Sequence, residues 1–240
     1  MNTQHQFFYT IQPDDSLYKI ARNFNTTVAS LLNDNAHIDP YNMRVGSTIV
    51  VTPGNASPVG TISSRQMTLS NNLRRVWFEH VLWTRLLIIS IVDNLLDTDA
   101  VTNRLLQNPN DIAKIFMPYY GADDAKIISN LLTQHLAIGK QLITALKNKD
   151  MQEAEKLNLQ WYKNADDMAV AFHTINPYYD QDEIRNMLYD HLDLTKEEVI
   201  NRLSKDYVND IHSFDKIENQ AMDMADEFTN GIIKQFPGMF

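Results

Sequence analysis

From Leu69 to the C-terminus the chain sets apolar residues three to four positions apart with almost no interruption, and that spacing dictates helices. "LRRVWFEHVLWTRLLIISIVDNLL" keeps the pattern for more than five turns of 3.6 residues. The same holds for "AKIISNLLTQHLAIGKQLITALKN", "AEKLNLQWYKNADDMAVAFHTI" and "EIRNMLYDHLDLTKEEVINRLSKDYVNDIHSFDKIENQAMDMADEFTNGIIKQF". Long amphipathic helices joined by short Pro/Gly turns predict an all-α antiparallel helical bundle over residues 69–240.

Composition narrows the classes of function. In 240 residues, 44% are hydrophobic, ample for a buried core. The 21 basic and 30 acidic residues give a net charge of −9, and no Lys/Arg cluster is present to neutralise a row of phosphates. Nucleic acid is therefore not an expected partner. With no cysteine, disulfides, thiolate metal sites and thiol nucleophiles are excluded. The longest apolar run, "LLIISIV" from Leu86 to Val92, is far short of the roughly 20 residues that span a bilayer, so no membrane span is expected. The N-terminus shows no basic stretch followed by an apolar core, so no secretory signal is read there. The chain is expected to be cytoplasmic as synthesised, and any export to be indirect.

The stretch "TPGNASPVGTISSRQMT" concentrates Pro, Gly, Ser, Asn and Thr, and residues 54–68 are read as a linker. Upstream, residues 1–53 have a different character. "FFYTIQ" is rich in aromatic and β-branched residues, as a strand is. Ser16 can cap a short helix carrying Leu17, Ile20 and Ala21, and Thr27 a second carrying Val28, Leu31 and Leu32. "GSTIVV" supplies another strand, giving a small α+β unit of order β-α-α-β.

"YTIQPDDSLYKIARNFNTTVASLLNDNAHIDPYNMRVGSTIVV" resembles a LysM module over about residues 8–52. The resemblance rests on the initial Tyr-Thr, the Asp-Ser-Leu turn, the Ile-Ala and Leu-Leu pairs, the Asn and the final Val-Gly. It implies binding of peptidoglycan or a chitin-like glycan containing N-acetylglucosamine, in a shallow groove between two loops. By position, one side would be Asp14, Asp15, Ser16, Leu17 and Tyr18, and the other Asn35, Ala36, His37, Ile38 and Asp39. Backbone groups and small polar side chains would take the acetamides, with Leu17 and Ile38 over the sugar faces. The family usually has Gly where Asp14 stands and often Trp where Tyr18 stands; a side chain in place of Gly narrows the loop's backbone choices.

The helical part carries an internal similarity. "PYYGADDAKIISNLLTQHLAI" from Pro118 and "PYYDQDEIRNMLYDHLDL" from Pro177 share Pro-Tyr-Tyr, an acidic stretch and a terminal His-Leu, and each follows a Trp helix. The repeats would run 70–149 and 155–235 and pack about a pseudo-two-fold axis. His135 and His191 each lie within an apolar stripe, while His80 and Asn164 stand three residues after Trp77 and Trp161. Buried polar groups need partners. The reading preferred from the residues is a hydrogen-bonded network that fixes helix register. The other is a cluster of His80, His135, His191 and Asn164 with a carboxylate, Glu79 or Asp167, holding a divalent metal or a small polar ligand. Arg85 is expected to find a buried carboxylate. The acids between Glu197 and Glu227 read as the solvated face of a long helix.

The helical part also resembles a bacterial helical-domain family of unassigned function, through "HVLWTR", "PYYG", "WYKNAD", "MLYDHL" and "NGIIKQFP" across most of residues 73–237. Some relatives carry an acetylglutamate kinase label, but this chain has neither a Gly-rich phosphate loop nor alternating strands. Two classes of function follow. The preferred one is a non-catalytic cell-wall or spore-surface protein, held to glycan by the first module, with the bundle as a structural or protein-interaction unit and no cofactor. The alternative is a metal- or small-ligand-binding enzyme whose centre is the polar cluster.

Overall fold

The computed structural model describes residues 6–13, 15–35, 38, 43–53 and 62–240. The chain forms two compact units, residues 1–61 and 62–240.

In the first unit β1 (Phe7–Thr10) pairs antiparallel with β2 (Thr48–Val51), Phe7 opposite Val51 and Thr10 opposite Thr48. Between them lie α1 (Leu17–Asn23) and α2 (Val28–Asp34). Each starts at a hydroxyl that accepts from the backbone of its first turn, Ser16 from Lys19 N and Thr27 from Ser30 N. Ile11, Leu17, Ile20, Ala21, Leu31, Ile49 and Val51 form the core. Asn35 closes the unit: its amide donates to Leu31 O and Val50 O and accepts from Val50 N, tying the end of α2 to β2.

The second unit is helical: α3 (Ser64–Val92), α4 (Thr98–Leu105), α5 (Asn108–Lys147), α6 (Met151–Ile175), α7 (Gln181–Leu203) and α8 (Tyr207–Gln235). The packing runs α3, α5, α6, α7, α8, and α8 returns against α3. α3 begins inside the stretch read as linker, because Ser63 and Gln66 form a capping box that outweighs the polar composition of residues 64–68. The two Pro-Tyr-Tyr sequences also differ in role. The second lies in the turn between α6 and α7; the first ends one segment of α5, which breaks at Gly121 (φ 83°, ψ 175°).

Trp77, Phe116, Phe172, Tyr179 and Phe228 form the centre of the core, Trp77 and Phe228 stacked with centroids 5.5 Å apart. Gly231 lies under the Tyr179 ring, where a Cβ would come within 1.9 Å of Cε1. Tyr179 OH donates to Phe228 O.

The acids after Glu197 are not all on a solvated face. Glu198, Asp210, Asp226 and Glu227 are buried. The arginines that face them come from other turns and helices, which periodicity within one helix does not display. Arg74 of α3 forms a two-pronged pair with Asp226 of α8. Arg85 of α3 donates to Glu198 of α7 (2.5 Å) and Asp210 of α8 (2.8 Å), as the sequence led one to expect of a buried arginine. Arg202 joins Asp210 and also pairs with Asp93. Burial pushes the Glu198 carboxyl up to about 7 despite the attraction of Arg85.

Replacing Arg85 by Ala strands the buried Glu198 carboxylate and leaves Asp210 to Arg202 alone. At pH 8, where Glu198 is ionised, the expected loss is about 3–5 kcal/mol. At pH 6 protonation relieves part of it, so the loss is smaller. Urea unfolding of wild type and Arg85→Ala at both pH values measures this; a loss below ~1 kcal/mol at pH 8 contradicts the role.

Candidate functional site

Three helices of the bundle each bring one histidine inward: His80 from α3, His135 from α5 and His191 from α7. All three are buried, and their ring centroids are 5.6 Å (His80–His191), 5.9 Å (His80–His135) and 6.1 Å (His135–His191) apart. One nitrogen from each ring lies within 4.8 Å of the other two.

A side-chain amide from a neighbouring helix holds each histidine. Asn108, at the start of α5, donates to Val76 O, the carbonyl four residues before His80, and its Oδ1 faces His80 Nδ1 at 2.9 Å. Gln220 of α8 donates to Met187 O, four residues before His191, and its Oε1 faces His191 Nδ1 at 3.2 Å. Because each NH2 is committed to a carbonyl, each amide oxygen is the acceptor. Nδ1 of His80 and of His191 must then carry the proton, and Nε2 of each keeps a free lone pair. Asn164 of α6 repeats the arrangement, donating to Leu131 O, four residues before His135. Neither Asn164 Oδ1 nor His135 Nδ1 reaches a partner at hydrogen-bonding geometry. This third clamp is engaged at the carbonyl and open at the ring.

The carbonyls of the histidines are also satisfied. Thr84 and Thr195, each four residues on, donate to His80 O and His191 O. At the matching place after His135 stands Gly139, whose missing side chain admits Trp161, and Trp161 Nε1 donates to His135 O. The rings line a cavity of about 20 Å³ together with Leu87, Leu105, Leu136, Ile143, Lys140 and the two threonines. That volume suits one water-sized occupant.

Desolvation lowers the pKa of all three imidazoles. Asn108 opposes this at His80; at His135 and His191 the approach of neighbouring imidazoles adds to it. His191 falls to about 3 and His135 well below its usual range. The cluster is neutral at pH 7.

Of the six residues the sequence grouped here, His80, His135, His191 and Asn164 come together. Asn164 serves as an orienting amide, the same role as Asn108 and Gln220. The two carboxylates do not join them: Glu79 turns outward to Arg75 and Arg104, and exposed Asp167 pairs with Lys163. Glu79, one residue before His80, points about 100° away from it; Asp167, a turn beyond Asn164, lies on the exposed edge of the stripe that Met168 continues inward. Asn108 and Gln220 were not singled out. Gln220 has a signal, lying between Ile217, Ala221 and Met224 on the buried side of α8; Asn108 has none, being 28 residues from the ring it holds.

In the first unit, the proposed groove residues serve the fold as well. Asp15 accepts from Tyr9 OH and Gln12 N, fixing the turn after β1. Ser16 is the α1 cap and Asn35 the α2–β2 clamp. Leu17, 5% exposed, packs in the core. Ile38 is half-buried against the same core. Asp14, Ala36, His37, Asp39 and the Tyr18 side chain lie outside the described residues.

The family model for the LysM domain matches residues 9–52, the span of the two-stranded, two-helix unit. No curated protein and no solved structure gives a significant match to the chain. Among the described residues no helix is long and apolar enough to cross a membrane.

The buried neutral imidazoles have a pH signature. An unfolded histidine takes up a proton near pH 6.5, whereas folded His191 stays neutral down to about 3. The unfolded state binds more protons over that window, so stability is full above pH 6.5 and falls as pH drops, by up to ~1.4 kcal/mol per unit from this residue. His191→Gln should be less stable than wild type at pH 7 by about 1–3 kcal/mol, because Gln220 loses its partner. The gap should close as pH falls below 6.5. Urea titrations in chelator-treated buffer read it; a gap constant with pH would mean that His191 is not held neutral.

Proposed function

We propose that the LysM domain attaches this chain to glycan containing N-acetylglucosamine, peptidoglycan or a chitin-like polymer, and that the helical unit is a non-catalytic cargo held at a cell wall or spore surface. The observation that supports it is the LysM match over residues 9–52, coincident with a folded β-α-α-β unit that has its own core. LysM domains support binding to such glycans in general.

The bonding of the described residues that flank the two loops supports one way of meeting the sugar. The side chains of Asp15, Ser16 and Asn35 are occupied by internal hydrogen bonds, which hold the described residues of the turn after β1 and the end of α2 in place. Recognition then rests on exposed backbone N–H and C=O groups directed at acetamides, with Ile38 as the apolar contact. Side chains held before binding lower its ordering cost.

The full chain should cosediment with insoluble peptidoglycan or chitin, and soluble N-acetylglucosamine oligomers should compete. A single shallow site predicts dissociation constants between about 1 μM and 1 mM, roughly −8 to −4 kcal/mol. Asp15→Ala, which frees the turn after β1, should weaken cosedimentation while leaving the helical signal unchanged. Absence of binding to both polymers removes the glycan role.

A further inference from the structure

We propose that His80, His135 and His191 form a binding site for one divalent transition-metal ion, Zn2+ foremost, with a fourth coordination position open to the small cavity they line. This rests on the helical unit alone and is independent of glycan attachment.

Three features carry it. The first is convergence. A point equidistant from three atoms 4.8 Å apart is about 2.8 Å from each, against ~2.0–2.1 Å for a Zn–N bond, so small ring movements complete the contacts. The second is orientation. A ligating histidine almost always donates its other ring N–H to an oxygen acceptor, which fixes the tautomer and aims the lone pair at the metal. Asn108 and Gln220 do this for His80 and His191, and Asn164 stands ready to do it for His135. The third is what the network leaves unexplained. An amide clamp uses Nδ1 alone, and clamping the helices gives no reason for three imidazoles to meet.

The donor set chooses the ion. Three neutral imidazoles suit Zn2+, Co2+, Ni2+ or Cu2+, whereas Mg2+ and Ca2+ require oxygen ligands. Among the described residues lining the cavity there is no carboxylate to supply them. A three-histidine set leaves the remaining tetrahedral position for water, whose acidity the ion raises. The cavity has room for one such water, and Leu87, Leu105, Leu136 and Ile143 form its apolar wall. Because the ligands come from α3, α5 and α7, the ion would join three helices, adding to the Asn108 clamp between α5 and α3 and the Arg85–Glu198 pair between α3 and α7.

The test uses the full chain, stripped with chelator and titrated with Co2+ and Zn2+. Wild type should bind one ion per chain, show the visible bands of four-coordinate Co2+, lose them to added Zn2+, and melt at a higher temperature with Zn2+ than with chelator. His135→Gln and His191→Gln, each confirmed folded by circular dichroism, should lose the bands and the Zn2+-dependent rise. Asn108→Ala and Gln220→Ala should weaken Zn2+ binding by about 10–100-fold without changing stoichiometry. Folded wild type that takes up neither ion at micromolar concentration overturns the proposal. So does full binding retained in folded His135→Gln, which would place the ion elsewhere, for example at exposed His173 or His212. The wild-type stoichiometry decides the matter even if a variant fails to fold.

Discussion

The interaction on which the helical unit depends is a side-chain amide bridging a helix carbonyl and the histidine one turn later. It occurs at α3 through Asn108, at α7 through Gln220 and, open at the ring, at α5 through Asn164. Each amide comes from a different segment than the ring it holds, so each fixes both the height and the rotation of one helix against another. Apolar contact alone tolerates sliding; a buried donor with one acceptor in reach does not. In the first unit, Asn35 clamps α2 to β2 in the same way, two donors and one acceptor all satisfied.

The buried charges follow a different logic from the buried imidazoles. The histidines avoid the cost of desolvation by staying neutral, whereas Glu198 and Asp210 are met by Arg85 and Arg202. Burial brings Glu198 near the point of giving up its charge at neutral pH. The second compact element of the core is the aromatic group around Phe228, where Tyr179 finds a backbone acceptor and Gly231 leaves its ring room. Trp77 links the two groups, stacked on Phe228 and with its ring 5.6 Å from that of His80.

The legible part of the fold was what periodicity carries. Apolar spacing located α3, the second segment of α5, α6 and the stretch of α7 and α8, which it read as one run without the break between Leu203 and Tyr207, and the caps at Ser16 and Thr27 located α1 and α2; α4 and the first segment of α5 were not read. An imidazole in the middle of an apolar stripe was likewise legible, because a polar residue on a buried face stands out against its neighbours. What periodicity cannot show is which helix lies opposite. Asn108 and the partners of Glu198 and Asp210 were hidden for that reason, and so the acids of α7 and α8 looked solvated. The start of α3 was missed differently: Ser63 and Gln66 are turn-like in composition and a capping pair in position. Leu17 is a case where likeness to a family points to the groove and burial points to the core.

Gly121 illustrates what a single backbone angle decides. Before it, Ile112 and Phe116 define the inward face of α5; after it, Ala125, Ile128, Leu132 and His135 do. From Phe116 to Ala125 is nine residues, about two and a half turns, so an unbroken helix would aim the two stripes in opposite directions. The φ of 83° with ψ near 175° is open to glycine and to almost no other residue, and no atom crowds the place where a Cβ would stand. Gly121 therefore acts as a phase corrector. The break lets each segment of α5 turn its own apolar stripe, and His135 with the second, toward the core.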